Sequence, residues 1–382
     1  MLIDENPKYI ISFHFRRTFC TLDNMVQTPW HVHIATMTFA LVFGVGANGI
    51  VIAVRLFSKI KRDRHVYKFL ILQLAIADLI FASTIFFDLY DHINKNQWAF
   101  GKWGCKIIRS TQSISITSEV GFLVIMTAER CFGTVRPFAR FNWSARKLNI
   151  LIAINWIWVS ITLVPFFVAL DVSDSGHCGE IKHPSISFRK AYTLFLFITD
   201  YACPLLLIFG FNLKIVHSIL QHQDHFTTAN LYKIGENDQE LSNQMMIDTT
   251  PAQNRSKVSQ SQINERKLFK ILVVITLCFA IFMLPNQIYY IWLDFGTPSE
   301  WSQTHGWLLI MFGGLVYLHC VANAVIYSLM DAQFRKQAMA LVKRILCCLK
   351  SNNSKEPFDN AKRDVQYKLS GKIKLDNTLT NL

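Results

Sequence analysis

Seven apolar blocks divide this chain, and each is long enough to cross a lipid bilayer as a helix. An α-helix rises about 1.5 Å per residue, so roughly 20 apolar residues span the hydrocarbon layer. Charged residues make up only 17% of the sequence, whereas soluble domains usually carry about 25%. The sequence therefore predicts an all-α membrane protein, a bundle of seven transmembrane helices. The blocks cover about 31–56, 67–90, 105–137, 148–170, 190–216, 268–293 and 306–330.

The third block carries a stripe of polar residues. Gln112 and Arg130 are 18 residues apart, which is five whole helical turns, and Glu119 falls close to the same face. Ionisable groups at such depths are costly and usually face the interior of a bundle. The stripe is either a functional site or a polar seam that only joins helices, and these residues alone do not separate the two.

Basic residues set the predicted orientation. They concentrate in the turns after the first, third and fifth blocks and beyond the seventh, which the positive-inside rule assigns to the cytoplasm. Residues 1–30 then form an extracellular tail; they lack the apolar core of a signal peptide, so we expect the first helix to act as an uncleaved anchor. The net charge of +13 thus indicates orientation, and no nucleic-acid partner is predicted. Cys105 and Cys178 also fall outside, where a disulfide can persist.

Polar segments follow the fifth and seventh blocks on the inner side. Residues 218–264 are rich in Gln, Asn, Asp and Ser and are expected to form a long, disordered cytoplasmic loop. Residues 331–348 place apolar side chains on one helical face and basic ones opposite, which predicts an amphipathic helix in the membrane interface. Cys347 and Cys348 end this helix in a setting for S-palmitoylation, with unmodified cysteines in a packed turn as the alternative. Residues 349–382 are expected to be a disordered cytoplasmic tail.

Short motifs occur along the chain in a characteristic order. By their number and order they resemble those of a rhodopsin-like (class A) G-protein-coupled receptor, over about residues 31–348. The markers are Asn48 and Val51 in GANGIV, Asp78 in LAIAD, Trp98-x-Phe100-Gly101-x3-Cys105, Arg130 25 residues later, Trp156, Pro204, Phe279, Pro285, Asn323 to Tyr327, and Phe334.

Four positions depart from the family's pattern. Cys131 replaces the tyrosine of the Asp/Glu-Arg-Tyr motif, Met283 replaces the tryptophan two residues before Pro285, and Asn212 replaces a tyrosine. Ala324 replaces the proline of NPxxY, so the seventh helix is expected to bend less there. These departures put the details of the family's switch in question, although coupling itself is still expected.

The resemblance implies a disulfide between Cys105 and Cys178, and a switch at the inner ends of the helices. In the family's geometry Arg130 pairs with Glu129 and with Glu265, and opening the pair frees the arginine for a G protein. A surface ion pair of little consequence is the alternative. Arrestin, receptor kinases and membrane lipid are further partners that the resemblance implies. The implied switch residues are Glu129, Arg130, Glu265, Asn323 and Tyr327.

The resemblance also implies a buried sodium site. Its positions here are Asp78, Glu119 and Asn323, with His319 one turn away. Glu119 is anomalous because the family commonly has a serine there. Two carboxylates in one low-dielectric pocket should not both ionise without a cation, so sodium binds tightly, a proton is shared, or His319 supplies the counter-charge. A neutral Glu119 that only joins helices is the alternative, and no cofactor other than sodium is predicted.

The outer ends of the helices indicate the ligand class. Gln112 stands where amine receptors of this family carry an aspartate, and Tyr317 stands where opsins carry a lysine, so neither kind of ligand is expected. These two side chains are expected to hydrogen-bond across the pocket. An acidic, aromatic funnel favours a peptide with Arg or Lys, unless the aspartates are solvated charges at loop ends; Arg109 could instead take a carboxylate. The predicted pocket residues are Asp88, Asp91, Arg109, Gln112, Asn286, Gln287, Tyr290, Asp294 and Tyr317.

Together these features predict a multi-pass receptor of the plasma membrane, with an extracellular N-terminus. It would bind an extracellular neuropeptide and activate a heterotrimeric G protein. A class A receptor for a small lipid or another non-peptide ligand is the first alternative, with a less acidic pocket. A transporter would show an internal repeat or broken half-helices, and the sequence shows neither. An enzyme would need a nucleophile–base or metal cluster, for which His319 and Glu119 are too few, so no enzymatic activity is predicted.

Overall fold

The fold consists of long helices and one short hairpin. The computed structural model describes residues 27–57, 65–135, 144–240, 252–296 and 303–353. The elements are α1 (Gln27–Phe57), α2 (His65–Ile93), α3 (Gly101–Val135), α4 (Ala145–Thr162), α5 (Val164–Ala169), β1 (Leu170–Val172), β2 (Cys178–Glu180), α6 (Ile186–Leu196), a π-helical segment (Phe197–Ala202), α7 (Cys203–Glu240), α8 (Ala252–Phe295), α9 (Gln303–Met330) and α10 (Ala332–Asn353).

The seven predicted spans are all helical. Six helical segments of the described chain are long and apolar enough to cross a membrane. The remaining span, α3, is more polar because it carries the stripe described above, and Gln112 and Glu119 lie on its buried side. Helix α3 contacts α2, α4, α5, α7, α8 and both strands. The polar stripe thus faces the interior of the bundle, and the prediction of a seven-helix membrane fold is confirmed.

Proline shapes two of the spans. The fifth span is α6, the π-helical segment and α7, and Pro204 follows directly after the wide turn. Because Pro204 has no N–H, it cannot donate to the carbonyl of Asp200. The N–H of Cys203, just before it, donates to the carbonyl of Ile198 five residues earlier, as in a π-helix. Pro285 lies inside α8. Helix α9, by contrast, continues through Ala324 without a break.

The hairpin is attached to the outer end of α3. Strands β1 and β2 are antiparallel, with Asp171 opposite Gly179. Cys105 of α3 is disulfide-bonded to Cys178 of β2, with their Cα atoms 5.6 Å apart, which confirms the predicted bridge. The Lys106 amine donates to the carbonyls of Phe167 and Val168 at 2.7 and 3.0 Å. These bonds fix the second outer loop against the mouth of the bundle.

The predicted cytoplasmic loop needs a correction. Helix α7 runs to Glu240 and α8 begins at Ala252, so the expected disorder of 218–264 is wrong for 218–240 and 252–264. Polar composition prevents a segment from forming a core, but it does not prevent helix. Extending an existing helix avoids the costly nucleation step, and Gln, Glu, Lys and Ala are good helix formers. Residues 241–251 lie outside the described chain.

A helix follows the seventh span, as predicted, and extends five residues beyond the expected end at 348. Phe334 near its start is buried, and the Arg55 guanidinium of α1 lies 5.3 Å from the centre of that ring. Arg55 also forms an ion pair with Asp331 at 3.5 Å. The location of α10 in the membrane interface stays a prediction. The side chains of Cys347 and Cys348, the tail from 354 and residues 1–26 lie outside the described residues.

Candidate functional site

A buried carboxylate joins three helices at the outer end of the bundle. The Asp88 side chain on α2 is 1% exposed and forms an ion pair with the Arg109 guanidinium at 2.5 Å. One oxygen of Asp88 also accepts hydrogen bonds from Gln112 at 2.7 Å and from the Tyr317 hydroxyl at 3.0 Å. The expected bond between Gln112 and Tyr317 is therefore wrong. Both are donors to Asp88 because a buried carboxylate, lacking water, needs several donors.

Asp294 is paired in the same way on the other side of the bundle. Its carboxylate forms an ion pair with Arg189 of α6 at 2.6 Å and accepts a hydrogen bond from the Thr193 hydroxyl. Sequence analysis missed Arg189 and Thr193. Their spacing of four residues, one helical turn, was the available signal, since it puts both on one face of α6.

The expectation that the aspartates await a cationic ligand therefore needs a correction. Asp88 and Asp294 each already pair with an arginine of this chain. Asp91 is buried at 8% exposure, and its Oδ1 makes no hydrogen bond to any described residue. The aspartates are thus neither free receptors for a cation nor solvated loop-end charges. They are buried anchors, two of which hold arginines in place.

The remaining predicted pocket residues lie on α8. Asn286 and Gln287 are half-buried, and Tyr290 is 45% exposed. No hydrogen bond among the described residues joins these three to Asp88 or Asp294. Aromatic neighbours that sequence analysis missed surround Arg109 and Tyr317 instead. Trp98 lies under the Arg109 guanidinium at 5.5 Å, and His33 lies 5.9 Å from the Tyr317 ring.

A second polar cluster lies deep in the bundle. Ligand atoms of Asp78, Glu119 and His319 all lie within 4.8 Å of one another, and all three residues are buried. Asn323 donates to one oxygen of Asp78 at 3.0 Å, and His319 Nδ1 lies 3.4 Å from Glu119. The other oxygen of Asp78 and both oxygens of Glu119 have no hydrogen-bond partner among the described residues. Asn48 donates elsewhere, to the carbonyls of Gly44 and Cys320.

The chemistry of this cluster fits a cation. The ligand atoms of two carboxylates and an imidazole point into one small space. Burying carboxylate oxygens that lack partners is costly unless a positive charge compensates them. Oxygen donors suit a hard cation. The sequence-predicted residues of the ion site are therefore brought together, with Asn323 as a hydrogen-bond donor to one of them.

The inner end of α3 carries an ion pair between adjacent residues. Arg130 Nε lies 2.5 Å from a carboxylate oxygen of Glu129, and the Arg130 guanidinium lies 5.7 Å from the centre of the Tyr67 ring. Tyr327 is fully buried nearby in the same core. The side chain of Glu265 lies outside the described residues, so its pairing with Arg130 stays a prediction.

Comparison with known proteins identifies the family. The sequence model of the 7 transmembrane receptor (rhodopsin family) matches residues 47–327. Galanin receptor type 1 of Rattus norvegicus is 26% identical over 333 residues, which cover 82% of this chain and 83% of the relative. The Tachykinin-like peptides receptor 86C of Drosophila melanogaster is 22% identical over 356 residues, 90% of this chain and 64% of the relative.

A solved structure shares the fold. The crystal structure of squid rhodopsin superposes with a TM-score of 0.68 at 18% identity, covering 85% of this chain and 89% of that chain. The family match covers most of the bundle and includes both polar clusters and the inner ion pair. The relatives are receptors, not enzymes. The chain belongs to the rhodopsin-like (class A) family of seven-transmembrane, G-protein-coupled receptors.

Proposed function

We propose that this chain is a plasma-membrane receptor, N-terminus outside, which binds an extracellular peptide and activates a heterotrimeric G protein. The observation that carries the proposal is the arrangement of charge along α3. The outer end of this helix holds Arg109, bound to Asp88, and its inner end holds Arg130, bound to Glu129. A ligand that contacts the outer cluster therefore acts on the helix whose other end presents the G-protein arginine. Relatives named for galanin and for tachykinin-like peptides favour a peptide as the ligand.

The proposed switch acts through Arg130. In the inactive state its guanidinium is held by Glu129, and movement of the inner helix ends releases it to a G protein. A ligand shifts the balance only by binding the active arrangement more tightly than the inactive one. Arrestin, receptor kinases and palmitoylation at Cys347 and Cys348 belong to the same proposal.

The test is a panel of extracellular peptides applied to cells that express the receptor, read by calcium and cyclic AMP. Arg130→Ala should abolish the response while surface expression is kept. Lys147→Ala, at an exposed inner position one helix away, is the matched control and should respond like the wild type. A full response of Arg130→Ala at equal expression would contradict the mechanism.

We also propose that Asp78, Glu119 and His319 hold a sodium ion. The carboxylates would bind the ion and the buried imidazole would border it. A ligand at ten times its dissociation constant stabilises the folded state by about 1.4 kcal/mol. Purified receptor should therefore be more heat-stable in sodium chloride than in choline chloride at equal ionic strength. This difference should vanish in Asp78→Asn; equal stability of the wild type in both salts would rule the site out.

A further inference from the structure

The arginine ion pairs near the outer ends of the helices share one asymmetry: the acid is buried and the base is partly exposed. Asp88 is 1% exposed, whereas its partner Arg109 is 26% exposed. Asp294 is 5% exposed, whereas Arg189 is 27% exposed. In both pairs the protein interior is lined by the carboxylate, and the side open to a ligand is lined by the guanidinium.

The hairpin repeats the asymmetry at the pocket mouth. Asp171 is 9% exposed, whereas Lys102 and Lys182, which both pair with it, are 52% and 59% exposed. Two lysines share one carboxylate, so this cluster carries a net positive charge. The hydrogen bond from Lys182, together with Lys102, lowers the pKa of Asp171 to about 2. Among the described outer residues, the ion pair of His183 with Glu180 departs from this pattern, because here the base is the more buried partner. This histidine is charged only when it is protonated.

The two guanidinium groups have more hydrogen-bond donors than their ion pairs use. A guanidinium has five N–H donors. Within the described part of the chain, Arg109 contacts Asp88 and Gln112 through Nη1, and Arg189 contacts Asp294 through Nη2. The remaining donors can bind a group that accepts hydrogen bonds. A carboxylate matches the planar fork of a guanidinium best.

Tyr290 of α8 lies within electrostatic range of both arginines, and also of Glu180 and Asp294. Asp91 lies within electrostatic range of Arg109, but its side chain is buried. A ligand that contacts Tyr290 would therefore lie near both guanidinium groups, with Glu180 as the nearby acid that remains partly exposed.

We infer that the pocket recognises an anionic ligand, a peptide that presents carboxylates to Arg109 and Arg189. Lys102 and Lys182 attract the same charge at the mouth. The inference rests on the proposed function as a peptide receptor and names the chemistry that the peptide must carry. It reverses the charge predicted from the sequence, where the aspartates were counted without their partners.

The experiment uses defined tripeptides and the thermal stability of the purified, full-length receptor. Triglutamate with an amidated C-terminus should raise the unfolding midpoint, whereas triglutamine amide and trilysine amide should not. Triglutamine with a free C-terminus separates recognition of a terminal carboxylate from recognition of acidic side chains; a shift with either source supports the inference. Stabilisation by trilysine amide, or by none of the acidic peptides, would overturn it.

Charge-neutral variants locate the site. The apparent dissociation constant for triglutamate amide should rise at least about tenfold in Arg109→Gln/Asp88→Asn and in Arg189→Gln/Asp294→Asn. Replacing both members avoids leaving a buried carboxylate unpaired, which would threaten folding by itself. Arg109→Lys keeps the charge but loses the planar fork, so it should bind more weakly than the wild type and more tightly than the double variant. Lys95→Gln removes an exposed outer lysine that lies outside these ion pairs and is the control.

The outcomes separate the two proposals. If the double variants bind triglutamate amide like the wild type, the arginines do not recognise anions and the inference fails, whatever the cell assay shows. If the tripeptides bind as expected but no peptide of the panel elicits calcium or cyclic AMP, the charge preference holds and the proposed signalling function fails.

Discussion

A close contact between three helices at Gly44 gives a sharp test of the packing. Gly44 of α1 lies where α1, α2 and α9 approach one another. A Cβ atom at this position would lie 2.8 Å from Ala82 Cβ and 2.9 Å from Cys320 Sγ. Ala82 and Cys320 are both fully buried, and an alanine Cβ cannot rotate away. Gly44→Ala must therefore push α1 away from its neighbours.

The cost follows from three contributions. Overpacking of a tight core costs about 1–3 kcal/mol. Asn48 donates to the carbonyls of Gly44 and Cys320 at 3.0 and 2.8 Å, so a shift of α1 also endangers a buried hydrogen bond worth roughly 1–3 kcal/mol. Alanine gains about 0.5–1 kcal/mol over glycine within a helix. The net expectation is a destabilisation of about 1–5 kcal/mol.

Gly46→Ala is the matched control, because a Cβ at Gly46 meets no atom within 4 Å. It carries the same gain in helix propensity without the overpacking. In a thermal unfolding assay of ligand-free, purified receptor, Gly44→Ala should unfold several degrees below the wild type and Gly46→Ala at or above it. Equal midpoints for the two variants would refute the reasoning. Adding Ala82→Gly to Gly44→Ala removes one of the two close atoms and should recover part of the loss.

Three further predictions concern the outer loop and the inner tail. The bridge to Cys178 closes a sequence separation of 73 residues, so Cys178→Ser should lower stability by up to about 4 kcal/mol, measured by unfolding under non-reducing conditions. Because the pKa of Asp171 is depressed to about 2, its ion pairs stabilise the folded form above about pH 4 and lose that effect towards pH 2; the stability difference between wild type and Asp171→Asn should be constant near neutral pH and vanish at the acid end. An acyl-exchange assay should detect palmitate in the wild type and lose it in Cys347→Ser/Cys348→Ser; an unchanged signal would place the lipid elsewhere.

The lengths of the apolar blocks in the sequence were enough to predict the helical bundle, but they did not predict where its helices begin and end. A stretch of about 20 apolar residues has few alternatives to a transmembrane helix, because every backbone group must be bonded within the membrane. Outside the membrane this constraint is absent. Polarity at 218–264 was therefore interpreted as disorder, although α7 continues to Glu240 and α8 begins at Ala252. Hydropathy measures what a segment can bury, and it does not measure where a helix stops.

The deep cluster was predictable, whereas the outer pairs were not. Asp78, Glu119 and His319 were grouped because their positions match the family's sodium site, and all three lie within helices. Arg189 and Asp294 lie 105 residues apart in the sequence, near the ends of α6 and α8. Their contact depends on the approach of α6 to α8, which no local pattern encodes. The sequence was therefore interpreted with the aspartates as free acids, whereas two of them pair with arginines of this chain.

Helix α3 connects the outer ion pair of Arg109, the deep cluster at Glu119 and the inner ion pair of Arg130. This helix is unbroken from Gly101 to Val135, so displacement of Arg109 moves the whole rod rather than one turn of it. Buried polar atoms along α3 restrict the positions that the helix can take, because each of these atoms needs a hydrogen-bond or ion-pair partner. Glu119 at mid-membrane is the exception, because its oxygens make no hydrogen bond to a described residue in this arrangement, and a bound cation would compensate them. If Glu119 holds a cation as proposed, that cation would favour one position of α3, and an anionic ligand at Arg109 that favours another would compete with it through the same helix.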